Sequence, residues 1–167
     1  MRILRFILAS VVVIFTIVTI ISLFIPSHVR ISRGIQINCS KDSVMKQLSD
    51  VSGWKKWYPG ADTLKLYYVG NVERGLVLDE QRKRYLVLKE KRNDQVTAEY
   101  LLPNKKIPTG WLVATNAESN SVTIQWYMDF HLRWYPWEKF YGIMAADVKG
   151  PLMQQSLDKL KKILEAE

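Results

Sequence analysis

The fold is decided by one stretch of the chain, VTIQWYMDFHLRW, which runs from Val122 to Trp134. Apolar side chains occupy every second position from Val122 through Trp126 and Phe130 to Trp134, and mostly polar side chains lie between them. This period of two is typical of a β-strand with one face in a core and the other in water. A sheet with one apolar face needs a covering layer, so the pattern also predicts that a second element packs against it.

The covering layer is predicted directly downstream, between Trp137 and Glu165. Apolar residues recur there at the spacing of a helix, which favours one long C-terminal helix. The pair Gly150-Pro151 falls inside this segment. Because proline removes one helical hydrogen bond and clashes with the preceding turn, we expect a kink or a break at this point.

Upstream of this helix, strand-like segments alternate with turn residues and no convincing helix intervenes. The predicted strands are Leu64–Val69, Gly75–Asp79, Arg84–Arg92, Gln95–Leu102, Trp111–Ala117 and Val122–Arg133. The turns between them are predicted at Gly70-Asn71, Asn93-Asp94, Pro103-Asn104 and Ser119-Asn120. Connections this short join antiparallel neighbours, so the sheet is predicted to be antiparallel.

The region before these strands predicts one strand and two short helices. Residues Val29–Asn38 alternate in part and favour a strand. Ser40 is a good N-cap for a helix that we expect to end at Gly53. A further turn of helix is predicted over Trp54–Trp57. The expected order is therefore strand, two short helices, six strands and one long helix.

Residues Phe6 to Ile25 form an apolar run without a charge. As a helix this run is about 30 Å long, the thickness of the hydrocarbon core of a bilayer. A cleaved signal peptide is the alternative, but its shorter apolar region ends at a small-x-small site that the residues before Pro26 lack. We predict a transmembrane anchor over residues 1–27 and a folded domain over 28–167. The flanking positive charges nearly balance, and the short leading tail favours export of the domain.

Charge and composition exclude several classes of function. The chain has 24 Lys and Arg residues against 16 Asp and Glu residues, a net charge of +8, but the basic residues are scattered among acidic ones. A solvated surface explains this pattern, attraction to anionic lipid headgroups is the alternative, and a nucleic-acid partner is not expected. One cysteine, Cys39, permits no internal disulfide. No metal-ligand, phosphate-binding or nucleophile motif is present, so we expect no metal, no cofactor and no catalytic residue.

Two segments give the chain a family resemblance. The strand end Ile35–Asn38, a capped helix and then Trp54–Pro59 resemble the opening of bacterial, membrane-anchored members of the polyketide cyclase/START-like superfamily, also called SRPBCC or helix-grip. Cys39-Ser40 replaces the Ala-Pro that is usual there, which keeps a helix start. The resemblance implies an α+β helix-grip fold, in which a curved antiparallel sheet wraps around the C-terminal helix. It also implies a location at the bacterial inner membrane and a cavity for a hydrophobic small molecule or lipid.

The aromatic content supplies the candidate cavity residues, since aromatic rings offer large apolar contact area. The candidates are Trp54, Trp57, Tyr85, Trp111, Trp126, Met128, Phe130, Phe140 and Met144. The alternative for any one of them is that it fills the core.

Two other functions stay open. A cyclase- or aromatase-type enzyme requires inward polar groups, for which Tyr100 is one candidate. An interaction module has a filled core and presents the outer face of the last strand, with Tyr127 and Asp129, to a partner protein.

Overall fold

A computed structural model describes residues 2–116 and 121–166 of the chain. Its elements, in chain order, are α1 (Arg2–Leu23), β1 (His28–Ile37), α2 (Lys41–Ser49), α3 (Trp54–Trp57), β2 (Lys65–Val69), β3 (Val72–Asp79), β4 (Arg84–Lys91), β5 (Gln95–Leu102), β6 (Lys105–Asn116), β7 (Ser121–His131) and α4 (Pro136–Leu164). The predicted order of strands and helices is confirmed. The turn predicted at Ser119-Asn120 lies outside the described residues.

The seven strands form one antiparallel sheet in the order β1-β7-β6-β5-β4-β3-β2. Strand β1 pairs along its whole length with β7, from His28 opposite His131 to Ile37 opposite Val122. Helix α4 lies against β1 and covers the face of the sheet that carries the alternate apolar residues of β7. The predicted class is confirmed, because a curved sheet wrapped around a long C-terminal helix is the START-like helix-grip fold.

Local capping explains the short helices between β1 and β2. The Ser40 hydroxyl accepts a hydrogen bond from the backbone N–H of Ser43 at 3.1 Å, which confirms the predicted N-cap of α2. The predicted end at Gly53 is wrong, since α2 stops at Ser49 with Asp50 as its C-cap. Gly53 instead precedes α3, where a Cβ atom would lie 2.7 Å from a carboxylate oxygen of Asp50.

Helix α4 runs from Pro136 to Leu164 without interruption, so no break occurs at Pro151. The helix is held by packing on both sides of the proline, through Ala145 and Met153, which are both buried. Gly150 has a packing reason of its own. A Cβ atom there would overlap the guanidinium group of Arg33, a β1 side chain that passes beneath the helix.

The outer face of β7 is less exposed than its polar residues predict. Tyr127 and Asp129 are each 8% exposed, because Arg30 of the neighbouring strand covers both. The Arg30 guanidinium lies 4.7 Å from the centre of the Tyr127 ring and bonds both carboxylate oxygens of Asp129, at 2.6 and 2.7 Å. The hydrogen bond from Arg30 holds the pKa of the Asp129 carboxyl below its usual range. The interaction-module hypothesis requires these two side chains to lie on an open surface, and they do not.

The core is centred on four tryptophans that lie between α3 and the sheet. Trp54, Trp57 and Trp111 are fully buried, and the Trp111 ring lies within 6 Å of the rings of Trp54, Trp57 and Trp126. Two of the four indole N–H groups are satisfied: Trp54 donates to the carbonyl oxygen of Leu48 and Trp126 to the hydroxyl of Thr109, each at 2.8 Å. This cluster fixes α3 against the sheet and forms one wall of the space beside it.

The segment that follows α1 is tied to the folded domain by one buried lysine. The Lys139 side chain, in the first turn of α4, is 3% exposed. Its ammonium group donates to the carbonyl oxygen of Ile25 at 2.8 Å and to the hydroxyl of Ser27 at 2.7 Å. The backbone N–H of Leu132 also donates to the carbonyl oxygen of Ser27 at 2.7 Å. The chain is thus held to α4 within a few residues of the end of α1.

Candidate ligand cavity

A cavity of about 520 Å³ lies between the sheet, the segment after α3 and the middle of α4. Its volume falls within the range of about 300–1,000 Å³ that is usual for small-molecule sites. The residues that line it are Tyr58, Pro59, Leu78, Asp79, Arg84, Tyr85, Tyr100, Leu101, Leu102, Lys105, Ile107, Trp126, Met128, Phe130, Tyr141, Lys149, Leu152 and Met153. The interaction-module hypothesis predicts a filled core, and this cavity disagrees with that prediction.

The floor of the cavity is apolar. Trp126, Met128 and Phe130 are alternate residues of β7, so they project from the same face of the sheet, and all three are buried. Met153 of α4 closes the floor from the opposite side and is also buried. A methionine side chain adapts to irregular shapes, so two methionines among two aromatic rings can accommodate more than one apolar outline.

Two tyrosine hydroxyls supply the polar element of the wall. The hydroxyls of Tyr58, which follows α3, and Tyr100 of β5 lie 2.8 Å apart. Burial raises the pKa of Tyr58 to about 12, against the opposing effect of its hydrogen bond with Tyr100. Burial also raises the pKa of Tyr100 well above its usual range. Both phenols stay neutral near pH 7, so the pair can offer one O–H donor and further acceptor positions to a ligand.

The neutral pair predicts a loss of stability in alkali. Its folded-state pKa values lie above the unfolded value of about 10, so the unfolded chain releases these protons first as the pH rises. The contribution to stability is complete below pH 10 and is lost as the pH rises towards 12, by up to about 1.4 kcal/mol per pH unit for each tyrosine. Urea unfolding of the chain in detergent between pH 9 and 11 measures this slope.

Tyr100→Phe should flatten this dependence of stability on pH, whereas the control Tyr141→Phe, at an exposed tyrosine, should leave it unchanged. Equal slopes in all three proteins would contradict burial of the pair.

The rim of the cavity is positively charged. Arg84, Lys105 and Lys149 line it against a single carboxylate, Asp79. Lys105 lies 3.8 Å from Glu138, but Arg84 and Lys149 form no ion pair within residues 2–116 and 121–166. A rim of this charge favours a ligand with an anionic or strongly polar head over one with a cationic head.

The nine residues predicted for the cavity fall into three groups. Trp126, Met128 and Phe130 line the floor, and Tyr85 borders the rim, where its ring packs against Tyr67 at 4.8 Å. Trp54, Trp57 and Trp111 lie behind the wall, fully buried in the tryptophan core. Phe140 and Met144 are exposed on the outward face of α4 and do not line the cavity. The helix turns these two side chains away from the sheet, and Met153 points inward in their place.

Sequence patterns missed several lining residues. Ile107 was missed because β6 begins at Lys105, six residues before the predicted strand start, and Lys105, Lys106 and Pro108 concealed its apolar alternation. Tyr58 directly follows the tryptophan pair that carried the family resemblance, and this position was the available signal. Tyr100 was a candidate only under the enzyme hypothesis.

The described residues hold no cluster of three His, Cys, Asp or Glu side chains that could bind a metal ion. Burial raises the pKa of the Cys39 thiol, and nearby Glu165 acts in the same direction. The thiol is therefore protonated near pH 7 and is a poor nucleophile. The arrangement offers apolar burial, a neutral hydrogen-bonding pair and a basic rim, which are the properties of a binding site.

The sheet, its covering helix and the cavity between them define a START-like domain. The profile of the family described as "Polyketide cyclase / dehydrase and lipid transport" matches residues 28–165, and the chain belongs to this family. No curated protein matches the chain.

Solved structures share the fold at low sequence identity. A START superfamily protein from Mycobacterium smegmatis has a TM-score of 0.59 at 14% identity, over 83% of this chain and 98% of that one. A protein of unknown function from Staphylococcus aureus has a TM-score of 0.62 at 14% identity, over 83% and 94%. The di-domain ARO/CYC StfQ from the steffimycin biosynthetic pathway has a TM-score of 0.60 at 11% identity, over 83% of this chain and 51% of that one.

Proposed function

We propose that the chain is a membrane-anchored START-like domain that binds a hydrophobic small molecule or lipid in the cavity between its sheet and α4. The observation that carries this proposal is the cavity of about 520 Å³ with an apolar floor. Burial of apolar ligand surface there contributes about 25 cal/mol for each Å² removed from water. The family description, which includes lipid transport, supports the same class of ligand.

The polar groups of the cavity specify an amphipathic ligand. An apolar body fits against Trp126, Met128 and Phe130, and a hydroxyl or carbonyl group fits the phenols of Tyr58 and Tyr100. An acidic or phosphate head fits Arg84 and Lys149 at the rim, which form no ion pair among the described residues. The positive charge of the rim therefore favours a fatty acid or an anionic lipid over a neutral sterol.

The anchor in this proposal is α1. Its 22 residues give a length of about 33 Å, and its mean hydropathy over the most apolar window is 2.8. A signal sequence near the N-terminus has the same composition, so the intact mass of the mature chain is the deciding measurement. A mass that includes residues 2–27, recovered from the membrane fraction, supports the anchor. The mass of a chain that begins near His28, recovered from the soluble fraction, refutes it.

The ligand proposal is tested by filling the cavity. We expect Ile107→Trp to reduce co-purified ligand at least tenfold, because Ile107 is only partly buried and its side chain faces the free space. The full chain is purified in a lipid-free detergent, and the bound molecules are extracted with solvent and identified by mass spectrometry. Lys106→Trp is the matched control, since it places the same side chain on the preceding residue of the same strand, outside the lining.

The two variants together separate binding from folding. Lys106→Trp should unfold in urea within about 0.5 kcal/mol of the parent chain, and Ile107→Trp should still unfold cooperatively with a loss of no more than about 1–3 kcal/mol. A stoichiometric molecule in the parent and in Lys106→Trp, but not in Ile107→Trp, supports the cavity as the site. Equal ligand content in all three proteins would place any bound molecule elsewhere and contradict the proposal.

A further inference from the structure

The outward face of the first half of α4 is apolar and exposed. Its large apolar side chains are Trp137, Phe140, Tyr141, Met144, Val148 and Leu152, which we call the outer stripe. Steps of three and four residues place them on one face of the helix. Trp137 is 62% exposed and Met144 is 61% exposed. An exposed apolar surface of this kind marks a contact with a membrane or another molecule.

The stripe is separate from the core and ends abruptly. The core face of the same helix is formed by other residues, among them Gly142, Ala145 and Met153. Beyond Leu152 the outward face continues with Gln155, Lys159 and Lys162, which are all exposed. The apolar part of this face is therefore about 22 Å long, at 1.5 Å for each residue. Helix α4 thus has two apolar faces in its first half and only one in its second.

The stripe begins where the chain leaves α1. Lys139, one helical turn from the first residues of α4, binds Ile25 and Ser27 through its ammonium group. Ser22 in the last turn of α1 is buried, and α1 contacts α4. A bilayer that holds α1 must therefore approach the first turn of α4 within a few ångströms. The outer stripe is continuous with this contact.

The chemistry beside the stripe fits the interface of a lipid bilayer. The rings of Trp134, Tyr135 and Trp137 pack in sequence, with centres 4.8 and 4.9 Å apart, at the end of α4 that lies nearest α1. Tryptophan and tyrosine are enriched where membrane meets water. Arg133, which precedes α4, and Lys149, which follows Val148 within the helix, suit anionic headgroups.

We infer that the outer stripe of α4 lies on the same membrane that α1 spans, and that the cavity opens towards the lipid. Tyr141 and Leu152 carry the second part, because both belong to the stripe and also line the cavity. A ligand can then pass between the bilayer and the cavity without crossing bulk water. This inference rests on the proposed anchor and deepens the proposed function.

The test measures depth in the bilayer at single positions. Cysteine is introduced separately at Met144, Val148 and Lys159 of the full chain, in which Cys39→Ser removes the natural thiol. Each variant is labelled with an environment-sensitive fluorophore and reconstituted into vesicles of phosphatidylcholine and phosphatidylglycerol. We expect blue-shifted emission at positions 144 and 148, and quenching there by a lipid with a nitroxide near its headgroup at least twofold stronger than at position 159.

Three other outcomes would overturn the inference. Emission typical of water at all three positions would leave the stripe away from the membrane. A blue shift at 144 and 148 without lipid quenching would assign the stripe to a second copy of the chain. Failure of the protein to float with vesicles would remove the anchor itself. Because the measurement needs no ligand, its result is independent of the Ile107→Trp test.

Discussion

Replacement of Trp111 by alanine is expected to lower the free energy of unfolding by about 3–5 kcal/mol, the usual cost of deleting a large buried aromatic side chain. Trp111 is fully buried and contacts three other tryptophans, Trp54, Trp57 and Trp126. Its deletion leaves a cavity at the centre of this group of bulky rings. Since whole domains are stable by about 5–15 kcal/mol, the variant should be largely unfolded at moderate urea concentrations.

Trp137→Ala is the matched control, because it removes the same side chain from an exposed position of α4. Urea unfolding in detergent, followed by near-ultraviolet circular dichroism, should detect a change within about 0.5 kcal/mol for this variant. An equal loss in both variants would show that the tryptophan core contributes no more to stability than a surface ring.

Gly75→Ala is expected to lower the free energy of unfolding by about 1–3 kcal/mol, although it adds only a methyl group. A Cβ atom at Gly75 would overlap the carbonyl oxygen of Leu86 and lie 2.9 Å from Cα of Val87 on the neighbouring strand. Backbone atoms of a paired strand cannot rotate away, so β3 and β4 must separate. The glycine permits the close approach of two strands that border the cavity.

Gly34→Ala provides the comparison, since it places the same methyl group in β1. The nearest atom to a Cβ there is the carbonyl oxygen of Ile124 at 3.6 Å, an ordinary contact. Removal of glycine also reduces the entropy of the unfolded chain, so this variant should be neutral or slightly more stable. A loss at Gly34 as large as that at Gly75 would mean that strand propensity, and not backbone approach, sets the cost.

The sequence predicted the architecture because its decisive signals are local. The alternation through Trp126 and Phe130 and the cap at Ser40 need only neighbouring residues to be interpreted. Burial of Asp129 could not be predicted in this way, because Arg30, its partner, lies 99 residues away in the chain. Of the kink or break predicted at Pro151, the break is wrong for a related reason, since buried residues on both sides of the proline hold α4 against the rest of the domain.

The candidate site was only partly predictable for a specific physical reason. The floor residues of β7 followed from strand parity, which assigns each side chain to one of two faces. Helix α4 gave no such assignment, because its first half is apolar on its inward and its outward face alike. Hydrophobic spacing could not separate Met153, which lines the cavity, from Met144, which does not. Only the contacts with the sheet distinguish them.

The contact of Lys139 with the segment after α1 restricts how the folded domain can move relative to that helix. Four residues separate Leu23, the last of α1, from His28, the first of β1, and one of them is the conformationally restricted Pro26. Because Lys139 also bonds two of these four residues, the connection is a short, constrained linker and not a flexible one. In the proposed anchored state, the domain therefore gains little reach above the membrane surface and keeps a fixed tilt and orientation as it diffuses laterally. Its encounters with a ligand or partner in that membrane would then be restricted to two dimensions and to a nearly constant angle of approach.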